Sequence, residues 1–339
     1  MSGVPSAVRD VVFAVPSPRE DTPERMSFVK RLAKGIEALG TRVHLMRVVR
    51  SANPLEFVRQ GLALRRLTRE TNASVVVAQY GSYTGLLVAL FGPRPIVITY
   101  RGSDLNPEPN THRLMQMAQH AASQCAAFFA DGIICVSREL AGRLLKPGSR
   151  EIIPSPTDVD LFQPLNQAAC RAQLAWSIDR PVAVFLGGKN ATLKGVELAR
   201  RVQGELARRH PFMDLQILDE EVPLPDVPAY LNAADCLLFL SRYEGSPNLI
   251  REACACNLPI VTLPSGDIAD VLAEVRPSRI VRPEAGEIAD ALADICRLPV
   301  RSNGRATAMR YATDIVSRRS LAFYETISRV SAQHRGQTS

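Results

Sequence analysis

Short apolar runs alternate with amphipathic stretches along most of the chain. Residues 10–15 read as a strand. From 25 to 39 the apolar positions recur at helical spacing, and the stretch ends at Gly40, a residue suited to the left-handed turn that closes a helix. Strands are expected at 42–49, 74–78, 96–100 and 132–136, and the clearest helices between them cover 55–71 and 111–127. Alternation of this kind predicts βαβ units built on a parallel sheet.

The pattern breaks at 152–166, where three prolines interrupt a stretch with no helical period. It then restarts. Strands are expected at 182–186, 215–218, 236–240, 260–263 and 279–281, with a helix at 194–209 and a terminal helix over 312–330. The α/β architecture is therefore used twice, without a detectable sequence repeat. The expected division is 1–163, 164–313 and a last segment, 314–339, that packs back on the first domain. Ligands of such sheets bind at the C-terminal ends of the strands, so a cleft faced by two such domains is the expected site.

Composition narrows the alternatives. Hydrophobic residues make up 46% and charged residues 22% of 339 positions, enough apolar material for two cores. The most apolar stretch, 75–100, is interrupted by Gln79, Ser82, Thr84, Gly92, Pro93 and Arg94, so it reads as strand, helix, strand rather than a membrane span. The N-terminus lacks a basic run followed by an apolar one, which makes a cytoplasmic protein the expectation. Seven cysteines form no CxxC pair and lie mostly in apolar runs, as reduced buried thiols do. The five histidines have no ligand spacing to them, so no metal is expected. Net charge is +7, and residues 1–165 carry 20 Lys+Arg against 14 Asp+Glu, which places +6 of it in the first half. Such a half suits an anionic membrane or a phosphate-bearing acceptor. A nucleic-acid binder is disfavoured by 6% aromatics and the lack of an RNA-binding motif. A nicotinamide dehydrogenase is disfavoured because no GxGxxG follows the first strand.

The most informative segment is 233–266, AADCLLFLSRYEGSPNLIREACACNLPIVTLPSG. A buried strand leads through a loop to a helix that starts near Pro247, which suits a first helical turn because its missing N–H costs nothing there. The exposed amides of Gly245, Ser246 and Asn248 at that helix start form an anion site. Glu244 stands directly beside it and Glu252 lies inside the helix. An acid beside an anion site points to a neutral hydrogen-bonding group such as a sugar hydroxyl. A second cluster is Phe185-Leu186-Gly187-Gly188-Lys189 followed by Lys194-Gly195. The chain has five lysines and its second half has only these two, so a shared glycine-bearing loop marks them as phosphate cations.

The first of these segments resembles the retaining GT-B glycosyltransferases of family 4, whose pattern is S-x-x-EGxPN-x-x-x-EAxAC-x-LPVV. Here it stands as Ser241, then Glu244 to Asn248, Glu252 to Cys256, and Leu258 to Val261. The resemblance continues at 185–195, at 131–137, and at 154–162, where Asp158 and Phe162 are kept. It implies two Rossmann-like domains facing across a cleft, acceptor on the first and nucleotide-sugar on the second. It implies that Glu244 contacts the donor sugar, Glu252 the ribose, and the backbone at Gly245–Ser246 the diphosphate, with Gly187, Gly188, Lys189, Lys194, Pro247 and Asn248 completing the donor site. Asp158-Val159-Asp160 spells DxD, but its place in the interdomain loop makes a metal role a coincidence.

Three departures stand out. Tyr100-Arg101-Gly102-Ser103-Asp104 carries Arg101 where relatives have a histidine that touches the donor sugar. Ser155-Pro156 replaces Asn-Gly, and Val15-Pro16-Ser17-Pro18-Arg19 replaces a glycine-rich loop, leaving Arg19 or Arg25 to supply charge. The expected activity is transfer of a hexose-type sugar from a nucleoside-diphosphate-sugar to a sugar, lipid-linked or small-molecule hydroxyl, without cofactor or metal. Such a reaction serves polysaccharide, glycolipid or other glycoconjugate synthesis. Glu244, Lys194 and Arg101 are the expected catalytic groups. The competing expectation is a non-catalytic module that binds sugar nucleotides. Arg59, Arg65, Arg66 and Arg69 on one helix, and Arg25, Lys30, Arg31 and Lys34 on another, leave two readings open: solvated basic helices, or peripheral attachment at the inner face of an anionic membrane.

Overall fold

The computed structural model describes residues 8–17, 26–106, 112–188, 191–298 and 300–337, with side chains as far as 333. The chain divides into two compact units: residues up to Pro156 together with the segment from Thr313 onward, and Thr157–Ala312.

Unit 1 runs β1 (Asp10–Ser17), α1 (Ser27–Glu37), β2 (Arg42–Val49), α2 (Pro54–Thr71), β3 (Val75–Gln79), α3 (Tyr83–Phe91), β4 (Ile96–Tyr100), α4 (Arg113–Phe129), β5 (Gly132–Cys135), α5 (Arg138–Gly142) and β6 (Arg150–Ile152). The strands form one parallel sheet in the order β2-β1-β3-β4-β5-β6. The sequence pattern did not announce β6. It is a three-residue edge strand paired only with β5, and its Arg150 and Glu151 carry no apolar signal. The inner strands β1, β3 and β4 are covered on both faces, as their largely apolar runs require. Val12, Ala14, Val76 and Ala78 pack into one cluster with Leu64 of α2, Leu87 and Val88 of α3 and Ala126 of α4. Val11, Phe13, Val75 and Val77 point the other way, toward Val29, Leu32 and Ile36 of α1.

Unit 2 contains α6 (Gln167–Gln173), β7 (Val182–Leu186), α7 (Val196–Arg209), β8 (Asp214–Leu218), α8 (Val227–Ala233), β9 (Cys236–Phe239), α9 (Asn248–Ala255), β10 (Ile260–Thr262), α10 (Ile268–Leu272), β11 (Ser278–Ile280), α11 (Ala285–Cys296) and α12 (Gly304–Met309). Its parallel sheet has the order β11-β10-β9-β7-β8. The first unit boundary falls at 156, earlier than the sequence-based 163, because Phe162 needs a core. Its side chain is fully buried among Val184, Leu231 and Ile250 of unit 2. Arg305 also ties the carbonyls of Val159 and Phe162 to this unit, both at 3.1 Å.

The last helix, α13 (Thr313–Gln337), packs on unit 1. Val316, Phe323, Tyr324 and Ile327 join the α1 side of its core, and Tyr324 meets Phe13 edge to face at 6.3 Å. Gly132 makes room for it, since a Cβ there would lie 2.8 Å from Ile327. Burying four such side chains at about 1.5–3 kcal/mol each is what anchors the helix.

Candidate active site

In each sheet the strand order reverses beside the first strand, between β1 and β3 in unit 1 and between β7 and β9 in unit 2. These are the points where chain crossovers leave a crevice at the C-terminal strand ends. Each unit has a cavity there.

The cavity of unit 2 has a volume of about 400 Å³. The end of β7 contributes Leu186, Gly187 and Gly188, and the loop before α7 contributes Lys194. Glu220, Glu221 and Val222 follow β8, while Phe239 ends β9 and Glu244 follows it. Pro247, Asn248, Leu249 and Glu252 come from the start of α9. The glycines permit this convergence. Gly188 and Gly195 adopt positive φ of 58° and 92°, and a Cβ on Gly195 would lie 2.9 Å from that of Leu240. A side chain there would push the Lys194 loop away from the end of β9.

Helix α9 begins after Pro247 with no side-chain cap, so its first amides are left for a ligand. One turn on from Asn248, Glu252 lies on the cavity wall with only 8% of its surface exposed. Burial raises the Glu244 carboxyl above its ordinary range; the Lys194 charge and a hydrogen bond with Ser241 oppose that rise. The pocket thus sets one cation, one uncapped helix start and carboxylates of two environments around the same space. Such a lining suits a ligand with an anionic segment between hydroxyl-bearing ends.

The loop from Glu244 to Asn248 is anchored from behind. The Glu244 amide donates to Ser265 Oγ at 3.1 Å, and Ser246 Oγ donates to Asp267 Oδ2 at 2.5 Å. Gly266, at φ 54°, lies so close that a Cβ on it would be 2.6 Å from the Gly245 carbonyl oxygen. Gly245 and Ser246 therefore shape the loop without lining the cavity themselves. Lys189 lies outside the described residues, as do Arg19 and Arg25.

Arg101 sits in unit 1 at the end of β4. Its guanidinium donates to Gln79 Oε1 at 2.6 and 3.2 Å and to Ser155 Oγ at 2.8 Å, and lies 4.3 Å from the centre of the Phe28 ring. Two departures from the family pattern, Arg101 and Ser155, are thus one hydrogen-bonded unit. Burial lowers the Arg101 pKa, but a guanidinium still keeps its charge. Asp104, from the same motif, accepts the amides of Gly81, Arg101 and Gly102 at 2.8–3.2 Å and so fixes the backbone on which Arg101 stands. Asp158 accepts the Leu161 amide at 3.0 Å in a turn of unit 2, and neither it nor Asp160 lines the cavity. Among the described residues no group of three His, Cys, Asp or Glu side chains is placed to hold a metal.

The unit 1 cavity has a volume of about 430 Å³. Pro16, Ser17, Val48, Arg50 and Tyr80 from strand ends, Ser82, Tyr83 and Thr84 from the start of α3, and Met115, Ala118 and Ala122 from α4 line it. Tyr80 is held at φ 97°, and the Tyr83 hydroxyl is buried without a hydrogen-bond partner. The sequence did not point to this cavity or to Glu220 and Glu221. Its lining comes from three strand ends and two helices that are far apart along the chain.

Two parallel sheets of this form match the GT-B glycosyltransferase architecture. Sucrose-phosphate synthase of Thermosynechococcus elongatus superposes with a TM-score of 0.68 at 18% identity, over 96% of this chain and 98% of that one. Anabaena HepE in complex with UDP-glucose superposes at 0.68 and 15%, over 94% and 99%. The family model for glycosyl transferases group 1 matches residues 177–297, and that for glycosyltransferase family 4 matches 9–161. The chain belongs to the group 1, family 4 glycosyltransferases. A curated relative, the D-inositol 3-phosphate glycosyltransferase of Mycobacteroides abscessus, is 27% identical over 201 residues, which span 49% of this chain and 44% of that one. The chain spans about half the length of the curated relatives it matches.

Proposed function

We propose that this protein transfers a hexose-type sugar from a nucleoside-diphosphate-sugar, held in the unit 2 cavity, to a hydroxyl acceptor carried by unit 1, with retention of configuration. The observation that carries the reading is the convergence of Lys194, Glu244, Glu252 and the uncapped start of α9 on one cavity. Glu252 binds the ribose and Glu244 the sugar. Lys194, Lys189 and the α9 amides neutralise the diphosphate, which leaves a metal without a task. The UDP-glucose bound by HepE supports a nucleotide-sugar donor.

Front-face substitution needs no dedicated base. The acceptor oxygen bonds to the anomeric carbon as the bond from that carbon to the leaving phosphate oxygen breaks, and the acceptor proton passes to that same phosphate oxygen. The cations carry the charge that develops on the leaving group. The unit 1 cavity, with methionines and alanines beside Ser, Thr and Tyr hydroxyls and Arg50, suits an acceptor with apolar and polar parts. The curated relative named for D-inositol 3-phosphate supports a phosphate-bearing one.

Peripheral membrane attachment belongs to the same reading, in a narrower form than the sequence suggested. On α2, Leu55, Val58 and Leu62 are exposed beside exposed Arg59, Arg65, Arg66 and Arg69. Lys30 and Lys34 lie on α1, across the sheet, so the two basic helices do not share a face. Among the described residues no helix is long and apolar enough to cross a membrane. Co-sedimentation with anionic vesicles that falls with salt, and falls when Arg65, Arg66 and Arg69 become Gln together, tests the α2 face. Protein that ignores such vesicles at low salt removes it.

The central experiment is a thermal-shift screen of nucleoside diphosphates and their sugar conjugates, followed by donor hydrolysis and transfer assays. Stabilisation by a sugar nucleotide with turnover supports the enzyme, whereas stabilisation without any turnover supports a binding module. Absence of any shift removes the donor site.

A further inference from the structure

Among the described residues, Arg251 is the largest side chain with no solvent exposure. It sits on α9 one position before Glu252, where the helix faces inward. Its guanidinium donates to Ser246 Oγ at 2.6 Å, to the Ser246 carbonyl at 3.2 Å, to Asn248 Oδ1 at 3.0 Å and to Asp267 Oδ2 at 3.2 Å. Three of these four contacts end on the loop and helix start that carry the donor site. The fourth closes a triangle, because Ser246 Oγ itself donates to Asp267.

Stability does not account for this arrangement. Taking a guanidinium and a carboxylate out of water costs several kcal/mol each, and apolar residues of the same volume do as well or better. Nor is the pair fully satisfied: Arg251 Nε and Asp267 Oδ1 are buried without partners. Burial holds the Asp267 carboxyl above its ordinary range even with Arg251 beside it. What the pair does fix is geometry. A planar fork with several donors orients three loop acceptors at once, which a single point charge does not. The turn after β10 completes the clamp, with Ser265 on the Glu244 amide and Gly266 against the Gly245 carbonyl.

We infer that Arg251 and Asp267 are positioning residues of the donor site. Through Ser246 and Asn248 they hold Glu244 and the first amides of α9 where donor sugar and diphosphate meet them. The inference rests on the donor-site reading above. Neither residue lines the cavity, so each acts through the loop.

The test compares Arg251→Met/Asp267→Leu, Asp267→Asn, Ser246→Ala and Arg251→Lys with wild type. The readouts are melting temperature, hydrogen exchange at residues 244–250, nucleoside diphosphate affinity, and kcat with the sugar nucleotide. The double variant removes both charges together and is expected to melt close to wild type. Its loop amides should exchange faster and its kcat fall by about 100-fold, the cost of a displacement near 1 Å at a reacting centre. Affinity for the bare nucleoside diphosphate should fall much less. Arg251→Lys keeps the charge without the fork and should lie between. A folded double variant with wild-type exchange and kcat overturns the proposal. If the double variant does not fold, Ser246→Ala and Asp267→Asn decide, and wild-type kcat in both overturns it. Wild-type protein that binds no nucleoside diphosphate overturns the donor-site reading itself, whereas binding and turnover that survive every folded variant overturn only the positioning role.

Discussion

Replacing Lys194 by methionine separates two tasks that one charge performs. Lys194 lines the unit 2 cavity on the loop before α7, and its charge is the largest influence opposing the rise that burial imposes on Glu244. A charge-assisted contact with a phosphate oxygen contributes about 1.5–3 kcal/mol. At about 1.4 kcal/mol per decade, its loss lowers kcat/KM for the sugar nucleotide by about 10- to 150-fold. The second effect concerns pH. Burial disfavours the Glu244 carboxylate, Lys194 favours it, and removing Lys194 therefore moves the carboxyl pKa further up. If ionised Glu244 orients the sugar, activity is lost as pH falls through that pKa, so the acid limb of the kcat profile moves to higher pH in the variant. Lys194 is only part-buried, and methionine keeps its apolar stem, so the fold should be unaffected. The assay is release of nucleoside diphosphate over a pH series, with melting curves as the control. A folded variant with wild-type kcat/KM and an unmoved acid limb would refute both the phosphate contact and the coupling to Glu244.

Glu252→Ala should weaken nucleotide binding by about 1–3 kcal/mol in calorimetry, since a buried charged acceptor for the ribose disappears. Glu244→Gln should reduce turnover more than affinity for the bare nucleoside diphosphate, and equal effects would remove its sugar-facing role. Activity should persist in EDTA; complete inactivation reversed by magnesium or manganese would return the diphosphate to a metal. At the other end of the unit 1 sheet, Asp10 pairs with Arg42 through two 2.8 Å bonds and with His44, which lowers its pKa from 3.8 to about 2. The folded-state pKa is depressed, so the stabilisation is present above about 4 and is lost as pH falls toward 2. Arg42 is 75% exposed, so solvent screening leaves only a small stabilisation. Asp10→Asn should lower stability slightly at neutral pH, with the difference vanishing in acid.

The apolar runs and their spacing were enough to place every strand but β6. Residues 42–49, 96–100 and 182–186 are β2, β4 and β7 to the residue. Parallel strands buried on both faces write themselves as short β-branched runs between turn residues, and that signal is local. Most of the unit 2 cavity lining was legible for the same reason. Glu244, Pro247, Asn248 and Glu252 fall within one strand-loop-helix segment, and Gly187, Gly188 and Lys194 within another. What no local pattern carries is which segments meet. Nothing local marks Glu220 and Glu221 until β8 is set beside β7. Nothing local marks Arg251 until the turn after β10 places Asp267 and Gly266 behind it. Arg101 and Ser155 are separate departures in the sequence and one hydrogen-bonded unit in the fold. The unit boundary moved because Phe162 follows its core rather than the prolines around it. Sequence determined the elements and the residues capable of chemistry, since propensity and periodicity act over a few positions. Tertiary structure decided their partners, because burial and hydrogen bonding across strand ends depend on sheet order.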